Sequence, residues 1–388
     1  MSTLNHTTSQ HEEHAYWGGI FAMTLCVFVL IASEFMPVSL LTPLAADLGV
    51  TEGLAGQGIA ISGALAVLTS LFLSRLAGNM NRKHLLLGMT ILMALSGLII
   101  AFAQNYQTYM TGRALIGIAI GGFWSMSAAT AIRLVPHHQV TRALAIFNGG
   151  NALATVVAAP LGSYLGATIG WRGAFLCLVP VVSLPNMSGR KNGASGEGVF
   201  RLFRQPVVSV GLIACSLFFM GQFALFTYVR PFLETVTHVS ASGLSLILLA
   251  IGIAGFVGTL LVTLVLNAAF YLTLIAIPLL MAAIAGALIL TGHNVWIVAL
   301  LSGLWGMLAT AAPTGWWAWV ARTLPEDAEA GGGLMVAVIQ LAIALGSTAG
   351  GMVFDRLGWQ STFALSGIVL LCAAALTFML SRLRESAS

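Results

Sequence analysis

Hydrophobic and polar positions occur along this chain in long blocks rather than in alternation. Apolar runs follow one another from residue 17 to residue 382, with short polar turns between them. A helix needs about 20 apolar residues to cross the ~30 Å hydrocarbon core of a bilayer, whereas a membrane β-barrel shows short alternating segments. The pattern therefore predicts an all-α polytopic membrane protein.

Turn residues divide the apolar runs into twelve predicted membrane-spanning helices. They cover residues 17–44, 53–76, 85–103, 109–133, 143–168, 171–184, 207–233, 241–266, 270–291, 295–321, 331–354 and 361–381. The sixth run is short for a span. An even number of spans places both termini on the same side of the membrane.

One polar stretch, residues 185–206, is much longer than the other turns and is rich in Gly, Ser and basic residues. That composition is typical of a flexible linker. It predicts a chain of five parts: an N-terminal tail 1–16, a first bundle 17–184, the linker 185–206, a second bundle 207–382 and a C-terminal tail 383–388.

The two predicted bundles carry matching sequence features. Gly170-Trp171 recurs as Gly358-Trp359, 188 residues later. A second match has an offset of 189 residues: Arg133-Leu-Val-Pro136 and Arg322-Thr-Leu-Pro325. Equivalent turns at a nearly constant spacing indicate an internal duplication. We therefore expect two pseudo-symmetric six-helix bundles.

Composition supports a membrane location. The chain of 388 residues is 58% hydrophobic and 7% charged, whereas about a quarter of a soluble domain is charged. Residues 1–16 are polar and lack the basic start of a signal peptide, so we expect the first span to act as an uncleaved insertion signal. The four cysteines lie far apart in apolar segments, which suits small apolar fillers and predicts no metal site.

The distribution of basic residues predicts the orientation. Twelve of the 16 Lys and Arg residues fall on one set of loops and ends, the set that includes both termini. Loops rich in Lys and Arg remain in the cytoplasm, so both termini are predicted to be cytoplasmic. The turn at residues 267–271 belongs to the same set but has no basic residue.

Glu34 is a carboxylic acid inside the first apolar span. It follows Trp17 by 17 residues, or roughly 25 Å along a helix. A charge at that depth costs at least ~2.5–3.5 kcal/mol, so the side chain needs either a proton or a partner. We favour a proton-carrying role. The alternative is an acid near the helix end that reaches the lipid headgroups.

Arg113 is the second charge predicted to lie within the membrane. A guanidinium stays protonated even when it is buried, so it must face a partner or water. Glu34 and Arg113 lie in the same predicted bundle and at similar depth. We expect them to form the proton-coupling site, the alternative being a static structural ion pair.

Aromatic and amide side chains near the middle of the spans are candidate solute contacts. Aromatic faces and amide groups suit a neutral, flat, polar solute such as a nucleoside. The alternative is helix packing, since buried amides often join membrane helices. The candidates are Trp124, Ser127, Asn148, Asn151, Gln222, Phe226, Tyr228, Trp305, Trp316 and Gln340.

Other residues are expected to govern helix approach and movement. Small residues spaced by four positions let two helices come close together. The candidates for such conformational roles are Gly117, Gly121, Pro160, Gly162, Arg82 and Lys83.

Three motifs resemble those of the major facilitator superfamily, in particular its drug:proton antiporter branch. They are Arg113-x3-Gly117-x3-Gly121, Ala158-Ala-Pro160-Leu-Gly162 and Ser33-Glu34-Phe35-Met36-Pro37-Val38. The resemblance implies twelve helices in two bundles and transport driven by a proton gradient. It also implies a bacterial inner-membrane location, no other cofactor, no enzymatic activity and no nucleic-acid partner.

A narrower resemblance, to the bacterial purine ribonucleoside efflux pumps, extends over most of the chain. The similar segments are residues 34–43, 121–127, 221–231 and 336–340. This resemblance implies a monomer in the lipid bilayer that exports nucleosides in exchange for H+. An exporter of drugs or sugars on the same scaffold is the alternative. A membrane enzyme lacks support from any nucleophile motif or paired acids.

The turn after the second span departs from the family pattern. The family usually has an acid in this turn, but the chain has Gly78 there and keeps only the basic pair Arg82-Lys83. The resemblance therefore implies a topological role for the basic pair, without the charge relay of the family.

Overall fold

The computed structural model describes residues 16–77, 82–136, 139–179, 205–324 and 328–385, and all regular structure within them is helical. The helices are α1 (Trp17–Leu48), α2 (Glu52–Ala77), α3 (Arg82–Ala101), α4 (Tyr106–Arg133), α5 (Val140–Leu176), α6 (Pro206–Phe226), α7 (Val229–Thr235), α8 (Ala241–Ala268), α9 (Phe270–Thr291), α10 (Val295–Thr323), α11 (Ala328–Leu357) and α12 (Trp359–Glu385).

Within the part of the chain that the structure describes, ten candidate membrane spans are long and apolar enough to cross a bilayer, and α6 and α7 together form one of them. Helix α4 has comparable length but a more polar sequence. The prediction of a polytopic all-helical protein is confirmed. Several predicted segments lie outside the described residues: the linker 185–206 before Gln205, the sixth span beyond residue 179, and the tails before Tyr16 and after Glu385. The predicted domain boundaries therefore stay predictions.

The seventh span was predicted over residues 207–233, and one candidate span covers Pro206–Thr235 but contains a break that was not predicted. Helix α6 ends at Phe226, and α7 begins at Val229 after a two-residue break. Pro231 explains the break, because its ring has no N–H to donate to the carbonyl of Thr227. Proline is tolerated in the first turn of α7, where no such bond is needed.

Glycines set the two equivalent turns that the repeat predicted. Gly170 has φ 78° and bends α5 where the fifth predicted span gives way to the sixth. Gly358 has φ 84° and separates α11 from α12. Side chains rarely adopt this left-handed conformation, whereas glycine adopts it freely. The Gly-Trp repeat therefore corresponds to two like turns in the structure.

The helices form two hydrophobic cores that meet along two seams. In the first part of the chain α1 packs on α5, and α4 packs on α2 and α3. In the second part α6 packs on α11 and α12, α8 on α10, and α9 on α12. Contacts between α2 and α11, and between α5 and α8, join the two parts.

Helix α4 approaches α2 closely along the glycine motif, while the conformational role of these residues stays a prediction. A Cβ on Gly117 would overlap the carbonyl oxygen of Ser62, and one on Gly121 would overlap that of Ala66. Gly162 similarly brings α5 onto α1, and Pro160 is buried beside it. Arg82 and Lys83 begin α3, but their side chains lie outside the described residues.

One end of the helices holds the turns after α1, α3, α7, α9 and α11, and we call it the Gly49 face. Gly49 ends α1 with φ 65°. Tyr106 donates to the carbonyl of Leu54 at 2.9 Å, and Arg172 Nε donates to that of Ala103 at 3.0 Å. Contacts across the seam between α2 and α11 occur here as well, so the two parts of the chain are closed together at this face.

Candidate functional site

Two prolines prepare α1 to receive side chains from other helices. A proline inside a helix leaves the carbonyl four residues earlier without its usual donor. Pro37 and Pro43 lie inside α1, so the freed carbonyls belong to Ser33 and Ser39. Both are taken by arginines: Arg113 Nη1 donates to Ser33 O at 2.7 Å, and Arg230 Nη1 donates to Ser39 O.

Arg113 is fully buried on α4 and is surrounded by hydrogen-bond acceptors. Besides the Ser33 carbonyl, its guanidinium donates to Gly58 O at 2.9 Å, to Ser62 Oγ at 3.0 Å and to Glu34 O at 3.5 Å. These partners are main-chain oxygens and a hydroxyl rather than a carboxylate. The alternative of a static ion pair with Glu34 is therefore not favoured, because among the described residues this cation binds the backbone of α1 and α2.

Glu34 lies next to this cation, with only 4% of its surface exposed. Its Oε1 accepts a hydrogen bond from Gln340 Nε2 at 3.1 Å. Gln340 is on α11, in the second part of the chain, so the bond crosses between the two parts. The buried carboxyl thus has a neutral amide as its direct partner, with the Arg113 guanidinium nearby.

Aromatic rings continue from the Glu34 site into the second part of the chain. Phe35 of α1 stacks on Phe223 of α6 with ring centroids 5.8 Å apart and an interplanar angle of 25°. Phe226 meets Phe223 edge-on at 6.2 Å. Phe226 was predicted from the sequence, whereas Phe35 and Phe223 were missed. Their positions next to Glu34 and Gln222 in sequence are the signal that would have found them.

Four of the predicted solute contacts have a buried polar atom with no hydrogen-bond partner among the described residues. They are Gln222 through Oε1, Trp305 through Nε1, Ser127 through Oγ and Gln340 through Oε1. Each of these atoms would gain a hydrogen bond if a polar donor or acceptor reached it. Trp124 and Asn151 are half-buried. The side chain of Asn148 lies outside the described residues.

Tyr228 and Trp316 serve helix packing in this structure. Tyr228 is fully buried, its hydroxyl donates to Ser347 O at 2.7 Å, and its ring stacks on Phe354 at 5.2 Å. Trp316 is 2% exposed and meets Trp319 edge-on at 5.9 Å. Both rings are buried, which favours the packing alternative for both residues.

Comparison with known proteins identifies the family. The sequence model of the Major Facilitator Superfamily matches residues 23–328 of this chain. The chain belongs to this superfamily of transporters. The resemblance found in the sequence motifs is thereby confirmed, and the chain is a multi-pass membrane transporter.

Two curated relatives cover nearly the whole chain. "Transcription regulatory protein OpdE" of Pseudomonas aeruginosa is 61% identical over 397 residues, covering 99% of this chain and 98% of the relative. "Purine ribonucleoside efflux pump NepI" of Salmonella enteritidis is 41% identical over 367 residues, covering 92% of each chain.

A solved structure shares the fold. It is a bacterial homologue of the human lysosomal transporter Spinster, in an inward-facing and unoccupied conformation. The TM-score is 0.73 at 14% identity, and the match covers 94% of this chain and 96% of the other. The likeness supports the transporter fold.

Proposed function

We propose that this transporter is a proton-coupled antiporter that exports small polar solutes, above all purine ribonucleosides, by alternating access. The observation that carries the proposal is Glu34, a carboxyl 4% exposed that bonds to Gln340 from the other part of the chain. We place the protein in the inner membrane of a bacterium as a monomer, with both termini in the cytoplasm.

The surroundings of Glu34 suit a side chain that gains and loses a proton. A carboxylate buried in a membrane needs a cation, a set of donors or a proton. Among the described residues, the Glu34 carboxyl accepts a hydrogen bond from one neutral amide, that of Gln340. The Arg113 guanidinium donates instead to main-chain oxygens and to Ser62. A neutral, protonated carboxyl is stable in such a place, while a carboxylate favours rearrangement. A proton on Glu34 is therefore tied to the arrangement of the helices.

Alternating access requires two bodies that move against each other. The two hydrophobic cores supply these bodies, which we take to be two pseudo-symmetric six-helix bundles joined along the α2–α11 and α5–α8 seams. The Gly49 face is closed by contacts such as the hydrogen bond from Thr51 to Asp355. With cytoplasmic termini the Gly49 face is periplasmic, so we infer that this conformation faces inward.

The aromatic rings and unpaired polar atoms favour a flat solute with hydrogen-bonding edges. Phe35 and Phe226, which are half-buried, are the candidates for stacking, while Gln222 and Trp305 offer an acceptor and a donor. A nucleobase has both properties. The name of the 41% identical relative, a purine ribonucleoside efflux pump, supports the same solute class. Export of drugs or sugars is the alternative.

The 61% identical relative has a regulatory name. A transport function of this chain is compatible with an influence on transcription. An exporter that changes the cytoplasmic concentration of a signalling solute alters gene expression without contacting DNA.

Uptake into inside-out membrane vesicles tests the proposal. Export appears there as uptake, and an acidic lumen drives it. We expect labelled inosine and guanosine to accumulate when the lumen is acidified, with no accumulation in vesicles containing Glu34→Gln. If sugars or lipophilic cations accumulate and nucleosides do not, the proposed solute class is wrong. If the rate of nucleoside uptake does not depend on the pH gradient, proton coupling is contradicted.

A further inference from the structure

The hydrogen bond between Glu34 and Gln340 leaves one buried atom unsatisfied. Gln340 Nε2 donates to Glu34 Oε1, and the amide is 6% exposed. Its Oε1 is buried and has no hydrogen-bond partner among the described residues. A buried acceptor without a donor is unfavourable and points to a donor that is supplied in some state of the protein.

The chemistry of the facing group identifies this donor. An ionised carboxylate can only accept hydrogen bonds, whereas a protonated carboxyl also has one O–H to donate. A protonated carboxyl and a primary amide can bond twice, once through the amide N–H and once through the acid O–H. Ionised Glu34 makes only the first of these bonds and leaves Gln340 Oε1 empty.

The backbone next to the amide holds Gln340 in position. A Cβ on Gly63 of α2 would lie 2.8 Å from the Gln340 carbonyl oxygen and 3.2 Å from Ala344 Cβ. Helix α11 is thus in close contact with the first part of the chain beside Glu34. The backbone that carries the amide is therefore held against α2 while the Gly49 face is closed.

Other charged or titratable groups on the helices around Glu34 do not take the place of Gln340. Arg113 of α4 bonds to main-chain oxygens and Ser62, and Arg230 of α7 bonds to Glu234 and Ser39 O. Asp47 and Arg172 form an ion pair at the Gly49 face. The remaining described groups on helices that pack on α1, together with those on α11, are Glu52, His84, Tyr106, Tyr109, Tyr164, Asp355 and Arg356.

We propose that Gln340 is a positioning residue that binds the protonated form of Glu34 and thereby closes the Gly49 face. When the carboxyl loses its proton to water, the acid O–H bond to Gln340 Oε1 is lost. The amide then holds α11 to α1 through one bond instead of two, and the face is released to open. This inference rests on the proposed function, because it assigns the proton carrier to Glu34.

The order of events follows from this assignment. Protonation of Glu34 from the periplasm closes the Gly49 face, and release of that proton to the cytoplasm permits the next opening. Proton movement is then opposite to solute export, as antiport requires. Gln340 accordingly couples the charge of Glu34 to the contact between the two parts of the chain, rather than binding the solute.

Two measurements on the same purified samples in lipid nanodiscs test the inference. Spin labels at Phe102→Cys and Trp296→Cys, both exposed at the Gly49 face on different parts of the chain, report the closed fraction. The four native cysteines are replaced beforehand. Infrared difference spectra against Glu34→Gln report whether Glu34 is protonated and hydrogen-bonded. Both measurements are made without solute and without a pH gradient. Their results therefore do not depend on whether the protein exports nucleosides in vesicles.

We expect the closed fraction and the band of a hydrogen-bonded, protonated carboxyl to rise together on acidification. Glu34→Gln should stay closed at acidic and alkaline pH, since its amide can bond twice to Gln340. Gln340→Leu should lower the closed fraction at acidic pH. In the infrared spectrum of this variant, the Glu34 band should either move to the frequency of an acid without a hydrogen bond or be replaced by a carboxylate band.

Gln57→Leu is the matched control, because Gln57 accepts from Thr348 at 3.1 Å across the same α2–α11 seam without touching Glu34. It should lower the closed fraction while leaving the Glu34 band of the closed protein unchanged. A carboxylate band in the closed wild type would overturn the inference, as would a protonated band that Gln340→Leu leaves at its frequency. Either result leaves proton-driven export, tested separately in vesicles, intact.

Discussion

Asp355, at the end of α11, accepts a hydrogen bond from Thr51 Oγ1 at 2.6 Å, although the two residues are 304 positions apart in the chain. The same carboxylate accepts from the backbone N–H of Gly53 at 3.0 Å. Asp355 therefore caps the start of α2 from the other part of the chain. A negative charge at a helix N-terminus is favourable, and this cap exists only while the Gly49 face is closed.

Removing the cap should open the Gly49 face. Asp355→Ala should reduce the ratio of closed to open molecules about fivefold, since loss of a helix cap costs about 1 kcal/mol. Spin-label distances between Phe102→Cys and Trp296→Cys measure the ratio. Asp47→Asn is the control, because its partners Trp171 and Arg172 lie on the same part of the chain. An equal shift in both variants would argue against the cap.

Helix packing at Gly117 should be intolerant of a methyl group. Gly117→Ala should lower the free energy of unfolding by about 1–3 kcal/mol, the usual cost of overpacking, since its Cβ would meet the Ser62 carbonyl. Thermal denaturation in detergent measures the effect. Gly88→Ala on α3 is the control, because a Cβ at that position would have no described neighbour within 4 Å. Equal melting temperatures in the two variants would refute the contact.

Arg113 should be needed for folding as well as for transport. Arg113→Lys keeps the charge but loses the planar set of donors that reaches Ser33, Gly58 and Ser62. We expect destabilisation of about 3 kcal/mol, because several buried acceptors lose a charged donor. Thermal denaturation again measures it. Glu34→Gln should stay close to wild type in the same assay, and the reverse order would contradict these roles.

Gln222 should contribute to solute affinity. Gln222→Ala removes an amide whose Oε1 is buried and has no partner among the described residues. Loss of one hydrogen bond to the solute, worth roughly 0.5–1.5 kcal/mol, should weaken the apparent affinity for inosine about two- to tenfold. Concentration dependence of vesicle uptake measures it. Asn267→Ala, at an exposed amide near the end of α8, is the control. Affinity within twofold of wild type in Gln222→Ala would return this residue to a packing role.

Much of the fold could be predicted because its signals are local. Run length predicted the helices, and the Gly-Trp pairs predicted two turns that need a positive φ. The glycine motif of α4 predicted a close helix contact. The break before α7 was missed although Pro231 marks it, because apolar residues continue through Thr227 and Tyr228 and hide the loss of one backbone hydrogen bond.

The site was predicted less completely because its partners come from distant helices. Sequence identified Glu34, Arg113 and Gln340 separately and grouped the first two as the proton-coupling site. That Arg113 bonds to the backbone follows from proline chemistry, because Pro37 frees the Ser33 carbonyl, which accepts a hydrogen bond from the guanidinium. That Gln340 faces Glu34 depends on how α11 approaches α1, which no local pattern records.

The turn at residues 267–271 illustrates the same limit. It lacks the basic residue that the topology predicts, but Arg322 from the end of α10 places its guanidinium 4.1 Å from the ring centroid of Phe270. A cation over an aromatic face is attracted by its electron density. The positive charge is thus present in space although it is absent from the local sequence.

Proton release on solute binding tests the central claim most directly. Purified protein in weak buffer receives inosine while the pH is recorded, and Glu34→Gln is treated in the same way. The account predicts proton release by the wild type and none by Glu34→Gln, which should still bind inosine. Wild-type-sized release from Glu34→Gln would contradict the account and move the proton site to another acid: Asp47, Glu52 or Glu234.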